Sequence, residues 1–108
     1  MKKNRKDKQL YKVKAQIIKA LGHPLRLEIV DLLSDGELCV EEIAQTVGSE
    51  RSNVSRHLSV LASVDLVKSR KQGLNIYYSL KVPCVIDFFC CVHKVLKEQI
   101  SEKAKLLK

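Results

Sequence analysis

The stretch CVEEIAQTVGSERSNVSRHLSVLASVDLV, residues 39–67, decides the fold. Apolar residues recur at helical spacing in its first third, Gly48 interrupts the pattern, and a second apolar series follows. Ser49 is a suitable N-cap for the second helix. Two short helices joined by a glycine-containing turn predict a helix-turn-helix. The inward faces should consist of Val40, Ile43, Ala44 and Val47 in the first helix and Val54, Leu58 and Leu61 in the second.

The outward face of the second helix carries side chains suited to reading DNA. Small hydroxyl, amide and basic groups cluster near the start of this helix, where a merely solvated helix would more often carry Lys and Glu. A helical hairpin within a small bundle is the alternative, but it does not explain this polar face. The predicted recognition surface consists of Arg51, Ser52, Asn53, Ser55, Arg56 and His57.

The residues after the second helix change from a helical period to an alternating one. Residues 66–80 suit two strands, and KQGLN at 71–75 suits the turn between them. Lys68, Arg70 and Lys71 lie on this hairpin. A basic hairpin directly after a helix-turn-helix predicts a winged helix, so the fold class is mainly α with a β-hairpin wing.

Three further helices are predicted around this centre. Residues 8–21 form an amphipathic helix, because their apolar residues recur at helical spacing. Pro24 fits the first position of the next helix, which stops near Gly36. Pro83 opens a long last helix over residues 83–105.

The 108 residues suffice for one domain, which we place at residues 8–105 behind a basic N-terminal arm at 1–7. Net charge is +8, and it is unevenly distributed. Residues 1–14 and 67–108 each carry a net charge of +6, whereas residues 15–66 carry −4. Two basic ends around an acidic middle favour a polyanionic partner that is held at specific places.

Composition also narrows the compartment and the class of protein. No apolar run approaches the roughly 20 residues that span a membrane, and no signal sequence is evident, so we expect a cytoplasmic protein without a membrane partner. In a reducing cytosol the four cysteines should be free, metal-binding or redox-active. The chain has no Cys-x-x-Cys motif, phosphate loop or acid/base pair, so we predict that it is not an enzyme.

Four stretches taken together are specific to one known family. They are ALGHPLRLEIVDLL at 20–33, GELCVEEIAQTVG at 36–48, SNVSRHLSVLASVDLVKSRKQG at 52–73 and YYSL at 77–80. In this order and spacing the chain resembles the ArsR/SmtB family of bacterial and archaeal winged-helix repressors. The resemblance extends over residues 8–105.

The resemblance implies a homodimer, formed through the first and last helices, that binds a palindromic operator in double-stranded DNA and represses an operon. It implies release when a metal, metalloid or sulfur species binds. Base edges should be read mostly by Asn53, Ser55, Arg56 and His57, while the wing meets phosphate or the minor groove. The implied DNA contacts are Ser52, Asn53, Ser55, Arg56 and His57 on the recognition helix and Lys68, Arg70, Lys71 and Gln72 on the wing.

Two inducer sites of the family are incomplete in this chain. One uses a Cys-Val-Cys pair, but here Glu41 follows Cys39 where the second thiol should be. Cys39 instead suits an N-cap that forms a capping box with Glu42. The other site binds zinc through one Asp, two His and one Glu on the last helix. Its positions hold Val82, Cys84, Val95 and Glu98, of which two are apolar.

Cys84, Cys90 and Cys91 remain as the candidate inducer site. They could bind As(III), Sb(III) or another thiophilic metal ion, with no cofactor otherwise required. With Pro83 at the first helical position, Cys84 falls in the first turn, where the helix dipole favours a thiolate. The same cysteines could instead sense oxidants or persulfides, or serve as inert packing residues at the dimer seam.

Helix geometry limits how these thiols can meet. Seven residues of helix rise about 10.5 Å, which exceeds the roughly 4.4–6.8 Å between the Cα atoms of a disulfide. Cys84 and Cys91 therefore cannot bridge within one intact helix, although Cys84 of one chain could meet the partner subunit's Cys91.

Overall fold

The computed structural model describes residues 5–107 and contains a winged helix-turn-helix. The elements in chain order are α1 (Arg5–Leu21), α2 (Pro24–Leu33), β1 (Leu38–Cys39), α3 (Val40–Val47), α4 (Arg51–Ser63), β2 (Val67–Gln72), β3 (Asn75–Leu80) and α5 (Val85–Leu106). The fold class predicted from the sequence is confirmed. No helix among the described residues is long and apolar enough to cross a membrane.

A single hydrophobic core lies between α2, α3, α4 and the first residue of β2. The predicted inward residues of α4 are fully buried, and those of α3 are buried except for Val47, which packs partly buried against the core. Residues of α2 and the start of β2 pack against the buried sides of α3 and α4. The buried cluster consists of Leu21, Ile29, Val30, Leu33, Val40, Ile43, Ala44, Val54, Leu58, Leu61, Leu66 and Val67.

The turn between α3 and α4 depends on a left-handed residue. Gly48 has φ +70°, and its N–H and that of Ser49 both donate to the Ala44 carbonyl, at 3.0 and 3.1 Å. This arrangement ends α3, because a glycine adopts such a φ without steric cost. The predicted N-cap of α4 is corrected by one residue. Glu50, not Ser49, occupies the N-cap position, because its carbonyl accepts the first helical hydrogen bond from the Val54 N–H at 3.0 Å.

The wing is the larger part of a three-stranded antiparallel sheet. Strands β2 and β3 pair from Val67↔Leu80 to Gln72↔Asn75, and Gly73 at φ +63° begins the two-residue turn between them. β1 adds Leu38 and Cys39 to the other side of β3, which gives the strand order β1-β3-β2. The sequence analysis did not predict β1, since two residues carry no periodicity.

The outer helices differ from their predicted bounds. α1 begins at Arg5, so residues 5–7 of the predicted arm are helical, while residues 1–4 lie outside the described residues. α5 begins at Val85 rather than at Pro83, so Cys84 is the N-cap and not part of the first turn. The chain from Val82 to Asp87 bends through three i→i−3 hydrogen bonds, which close tighter turns than an α-helix does.

α5 contributes little to the core of its own chain. None of its residues is buried, and only Val85, Ile86 and Phe89 pack partly against the core cluster. The radius of gyration is 17.1 Å, whereas a compact domain of this length has a value of about 13 Å. The chain therefore has an extended shape with a long, exposed last helix.

Candidate nucleic-acid interface

α4 presents its polar residues away from the core. Arg51, Ser52, Ser55 and Arg56 are exposed and Asn53 is half-buried, while Val54 and Leu58 on the opposite side are fully buried. The two buried side chains fix the rotation of α4 about its axis, because any other rotation would expose them to water. This rotation directs the predicted recognition residues outward.

Hydrogen bonds join three side chains along the exposed face of α4. The Arg56 Nη2 group donates to Asn53 Oδ1 at 2.6 Å, and Asn53 Nδ2 donates to Ser49 Oγ at 2.9 Å. Asn53 and Arg56 are three residues apart on α4 and are therefore neighbours on its surface. Ser49 contacts Asn53 from the turn directly before α4. These hydrogen bonds hold Asn53 and Arg56 in defined orientations, and both are side-chain types that read bases in the major groove. Ser49 therefore belongs to this face even though it does not cap α4.

His57 lies deeper than the other predicted recognition residues. Its ring packs on that of His23 with 4.4 Å between the ring centroids, and its Nδ1 is buried without a hydrogen-bond partner among the described residues. His23 is also the N-cap of α2, where its Nδ1 accepts from the Leu25 N–H at 3.1 Å. His23 therefore has a structural role at the start of α2. His57 is thus only partly accessible to a ligand on the α4 face.

The surroundings of His57 oppose its protonation. Burial lowers the pKa of His57 below its ordinary value, and the nearby His23, Arg26 and Arg56 lower it further. Its side chain is therefore neutral at pH 7.

We expect this histidine to make stability depend on pH. As pH falls through about 6.5, His57 becomes protonated in the unfolded chain but resists protonation in the native state. The unfolded state then binds more protons, so the free energy of unfolding should fall as pH drops through and below this value. Urea unfolding of the parent and of His57→Gln between pH 8 and 5.5 measures the effect, and the variant should lose less stability. Identical pH profiles for the two proteins would contradict it.

The wing carries its basic residues on exposed positions. Lys68, Lys71 and Gln72 are exposed, and neither lysine forms an ion pair with another residue in the described part of the chain. Arg70 differs. Its Nη2 lies 2.6 Å from Glu37 Oε1 and its Nε 2.9 Å from Glu37 Oε2, while its Nη1 donates to Gln72 Oε1 at 2.6 Å.

Glu37 is the residue of this region that the sequence analysis missed. It directly precedes β1, and its partner Arg70 is 33 residues away along the chain, so no local pattern links the two. Arg70 lowers the pKa of the Glu37 carboxyl by hydrogen bonding and by its charge, and the charge of Lys68 lowers it further, which keeps the carboxylate ionised. The only signal that could have identified the pair was the pairing of β1 with β3.

The four cysteines lie in different surroundings. Cys39 caps α3 as predicted: its N–H donates to Glu42 Oε1 at 3.0 Å in a capping box, and this bond lowers the pKa of Glu42. Cys90 lines a groove of about 480 Å³ between α2 and α5. Cys84, the N-cap of α5, and Cys91 within α5 are exposed, and all four thiols are free. Among residues 5–107, no three His, Cys, Asp or Glu side chains are grouped so that they could hold a metal ion.

Comparisons with known proteins agree with this arrangement. Residues 23–69 match the family model described as "Bacterial regulatory protein, arsR family". The chain is 35% identical over 99 residues to the HTH-type transcriptional regulator Rv0081 of Mycobacterium tuberculosis, covering 91% of this chain and 87% of that protein. The solution structure of the homodimeric DNA-binding domain of Mb0332 from Mycobacterium bovis, a possible ArsR-family regulator, matches with a TM-score of 0.78 at 33% identity, covering 93% of both chains.

The chain belongs to the ArsR family. Another relative is the arsenical resistance operon repressor of Staphylococcus xylosus, which is 40% identical over 70 residues, covering 65% of this chain and 67% of that protein. This ArsR-family chain is therefore a DNA-binding transcriptional repressor of the ArsR/SmtB type, and the prediction that it is not an enzyme is confirmed by the family.

Proposed function

We propose that this repressor binds a palindromic operator as a homodimer and releases it when a thiol-reactive inducer binds cysteines of α5. The observation that carries the DNA-binding surface is the hydrogen-bonded face of α4, where Asn53 and Arg56 are oriented before DNA arrives. Orientation in advance lowers the entropy that binding must overcome. The proposed DNA surface comprises Ser52, Asn53, Ser55, Arg56 and His57 of α4 and Lys68, Arg70, Lys71 and Gln72 of the wing.

The exposed apolar residues of α1 and α5 support the homodimer. Val13 and Ile18 of α1 are 47% and 55% exposed, and Val92 and Val95 of α5 are 52% and 55% exposed. Several exposed apolar side chains on one helix are typical of protein–protein interfaces. A second copy would cover it and complete a core to which α5 adds little in one chain. Two α4 helices related by a two-fold axis would then read two half-sites about one helical turn of DNA apart.

Base reading and backbone binding can be tested separately by fluorescence anisotropy. The probes are a duplex from upstream of the protein's own gene and a scrambled duplex of equal length. Asn53→Ala should weaken binding to the upstream duplex by about 1–3 kcal/mol and leave scrambled binding nearly unchanged. Lys68→Gln and Lys71→Gln should weaken both and should each reduce the salt slope, the steepness with which log affinity falls with log salt concentration, by about 1.8, because each change removes one charge from both subunits of the dimer.

Lys103→Gln on α5 removes the same charge far along the dimerisation helix and is the matched control. It should leave the salt slope close to that of the parent. Equal affinity of the parent for the upstream and scrambled duplexes, or slopes unaffected by both wing lysines, would contradict the proposed surface.

The inducer site is proposed at Cys84, Cys90 and Cys91. All three thiols are free and exposed, and soft metalloids prefer thiolate ligands. The similarity to an arsenical resistance operon repressor supports As(III) or Sb(III) as the first inducers to try. Because one chain does not group three ligands, the site would draw cysteines together by a local rearrangement or from both subunits.

Release from DNA tests the inducer. Arsenite or antimonite added to the complex should restore the anisotropy of free DNA, and Cys84→Ser, Cys90→Ser or Cys91→Ser should abolish this response in at least one case. Cys39→Ser is the control, since a serine also caps a helix. Release by polysulfide alone would identify a redox or persulfide sensor that uses the same cysteines. Full response of all three variants would rule out the site.

A further inference from the structure

The four wing residues of the proposed DNA surface do not share one role. Arg70 is held by Glu37 through two parallel N–H···O bonds, from its Nε and Nη2 groups, and its guanidinium lies 4.8 Å from the centroid of the Tyr77 ring. Paired N–H donors on a carboxylate are the strongest side-chain geometry for such a contact, and a flat aromatic face adds a cation–π attraction. Arg70 is therefore the most constrained cation of the wing.

The location of this pair explains what it could do. β3 is the middle strand, with Cys39 of β1 opposite Tyr77 on one side and Arg70 of β2 opposite Tyr77 on the other. The Arg70 side chain reaches across β3 to Glu37, which directly precedes β1. The ion pair thus joins the two outer strands over the central one.

Tyr78 and Leu80 at the base of the wing pack against the core and β1 pairs with β3, but the outer half of the hairpin has little apolar packing to hold it in position. Val67 is the only buried residue of β2, and no residue of β3 is buried. A two-stranded hairpin without an apolar face is marginally stable in water. The ion pair between Arg70 of β2 and Glu37, the residue before β1, would fix the hairpin relative to the helix-turn-helix, because β1 leads directly into α3.

Arg70 and the two wing lysines differ in how much positive charge they present to DNA. The Glu37 carboxylate neutralises Arg70, so the pair adds little net charge toward a phosphate. Lys68 interacts with Glu37 only through its charge, without an ion-pair contact, and neither Lys68 nor Lys71 has an ion-pair partner among the described residues. We propose that Glu37 is a positioning residue of the DNA interface: it holds Arg70 as a strut that sets the wing so that Lys68 and Lys71 reach the DNA backbone, and Arg70 itself contacts no phosphate. This inference rests on the proposed function of the wing in binding DNA.

A positioning role and a purely electrostatic role of Glu37 predict opposite changes in DNA affinity when its carboxylate is removed. If the carboxylate acted only by its charge, removing it would strengthen binding to a polyanion. If it positions the wing, Glu37→Ala should weaken binding to the upstream duplex, roughly fivefold, the scale of a well-oriented exposed ion pair. Glu37→Gln removes the same charge but keeps an acceptor for Arg70, so it should weaken binding less than Glu37→Ala.

The salt slope then separates a strut from a phosphate contact. Arg70→Gln and Glu37→Ala should both weaken binding and both lower the salt slope, because either change releases the hairpin that carries Lys68 and Lys71. If Arg70 instead contacted phosphate, Glu37→Ala would free its charge and raise the slope, while Arg70→Gln would lower it. The exchanged pair, Glu37→Arg with Arg70→Glu, should recover affinity relative to either single change. Circular dichroism tests whether each variant is folded, which is expected because neither side chain is buried.

The outcomes distinguish this inference from the proposed function. If the wing lysines change the slope as expected but Glu37→Ala binds as tightly as the parent or more tightly, the strut is refuted and the DNA surface stands. A slope that falls in Arg70→Gln but rises in Glu37→Ala would likewise overturn the strut, because it would reveal a phosphate contact made by Arg70 itself. If neither lysine affects the slope, the proposed function of the wing fails first.

Discussion

Val92→Lys should convert a dimer into a monomer and lower affinity for the upstream duplex by about 100-fold or more. Val92 is 52% exposed at the centre of the apolar stripe of α5. A lysine there would place an unpaired charge inside the proposed two-fold interface, which costs several kcal/mol. A monomer retains one recognition helix and loses the gain from binding two linked half-sites. The other exposed apolar residues of this stripe are Phe88, Val95, Leu96 and Ile100.

Analytical ultracentrifugation measures the association and anisotropy measures DNA binding. Ser101→Lys is the matched control, because nine residues of helix place Ser101 on the side of α5 opposite Val92. It adds the same charge and should leave both the dimer and the DNA affinity intact. A Val92→Lys protein that remains dimeric with the parent's affinity would show that the subunits associate elsewhere.

Leu58→Ala should lower the free energy of unfolding by about 3 kcal/mol. Leu58 is fully buried, and it is the residue of α4 directly behind the polar recognition face. The truncation removes apolar contacts and leaves a cavity that close-packed neighbours cannot fill. A loss of this size is a large fraction of the roughly 5–15 kcal/mol that stabilises a typical domain.

Urea unfolding at a fixed protein concentration measures this loss, since the stability of an oligomer depends on concentration. Ser59→Ala is the control at the adjacent exposed position and should change stability by no more than about 0.5 kcal/mol. In the absence of denaturant, Leu58→Ala should still bind the upstream duplex, because its outward side chains are unchanged. A loss below about 1 kcal/mol would mean that the core around α4 collapses to fill the space.

The helix-turn-helix was predictable because its determinants are local. Val54, Leu58 and Leu61 follow a helical period, and this period also determined which residues of α4 face outward. Gly48 marked the turn for a reason contained in one residue, its tolerance of a positive φ. The capping box of Cys39 and Glu42 was also readable, since its two partners are three residues apart.

The predictions from sequence were wrong or incomplete where an element boundary depends on residues distant along the chain, or on local preferences that compete. The N-cap of α4 is Glu50 because the geometry of the preceding turn, and not the intrinsic preference of Ser49, set the first helical hydrogen bond. α5 starts after Pro83 because the residues around Cys84 form tight turns with i→i−3 hydrogen bonds in place of α-helical ones. The strand β1 exists only because β3 lies beside it.

The sequence by itself determined the order of the five helices and the two wing strands, the inward faces of α3 and α4 and the polar face of α4, because each depends on spacings of a few residues. Tertiary structure alone decided that His57 packs on His23 and that Glu37 holds Arg70. Both contacts join residues more than thirty positions apart, and a side chain's partner at that distance depends on how the chain folds back on itself. For this repressor, local pattern specified which residues could meet DNA, and the fold decided how two of them are held.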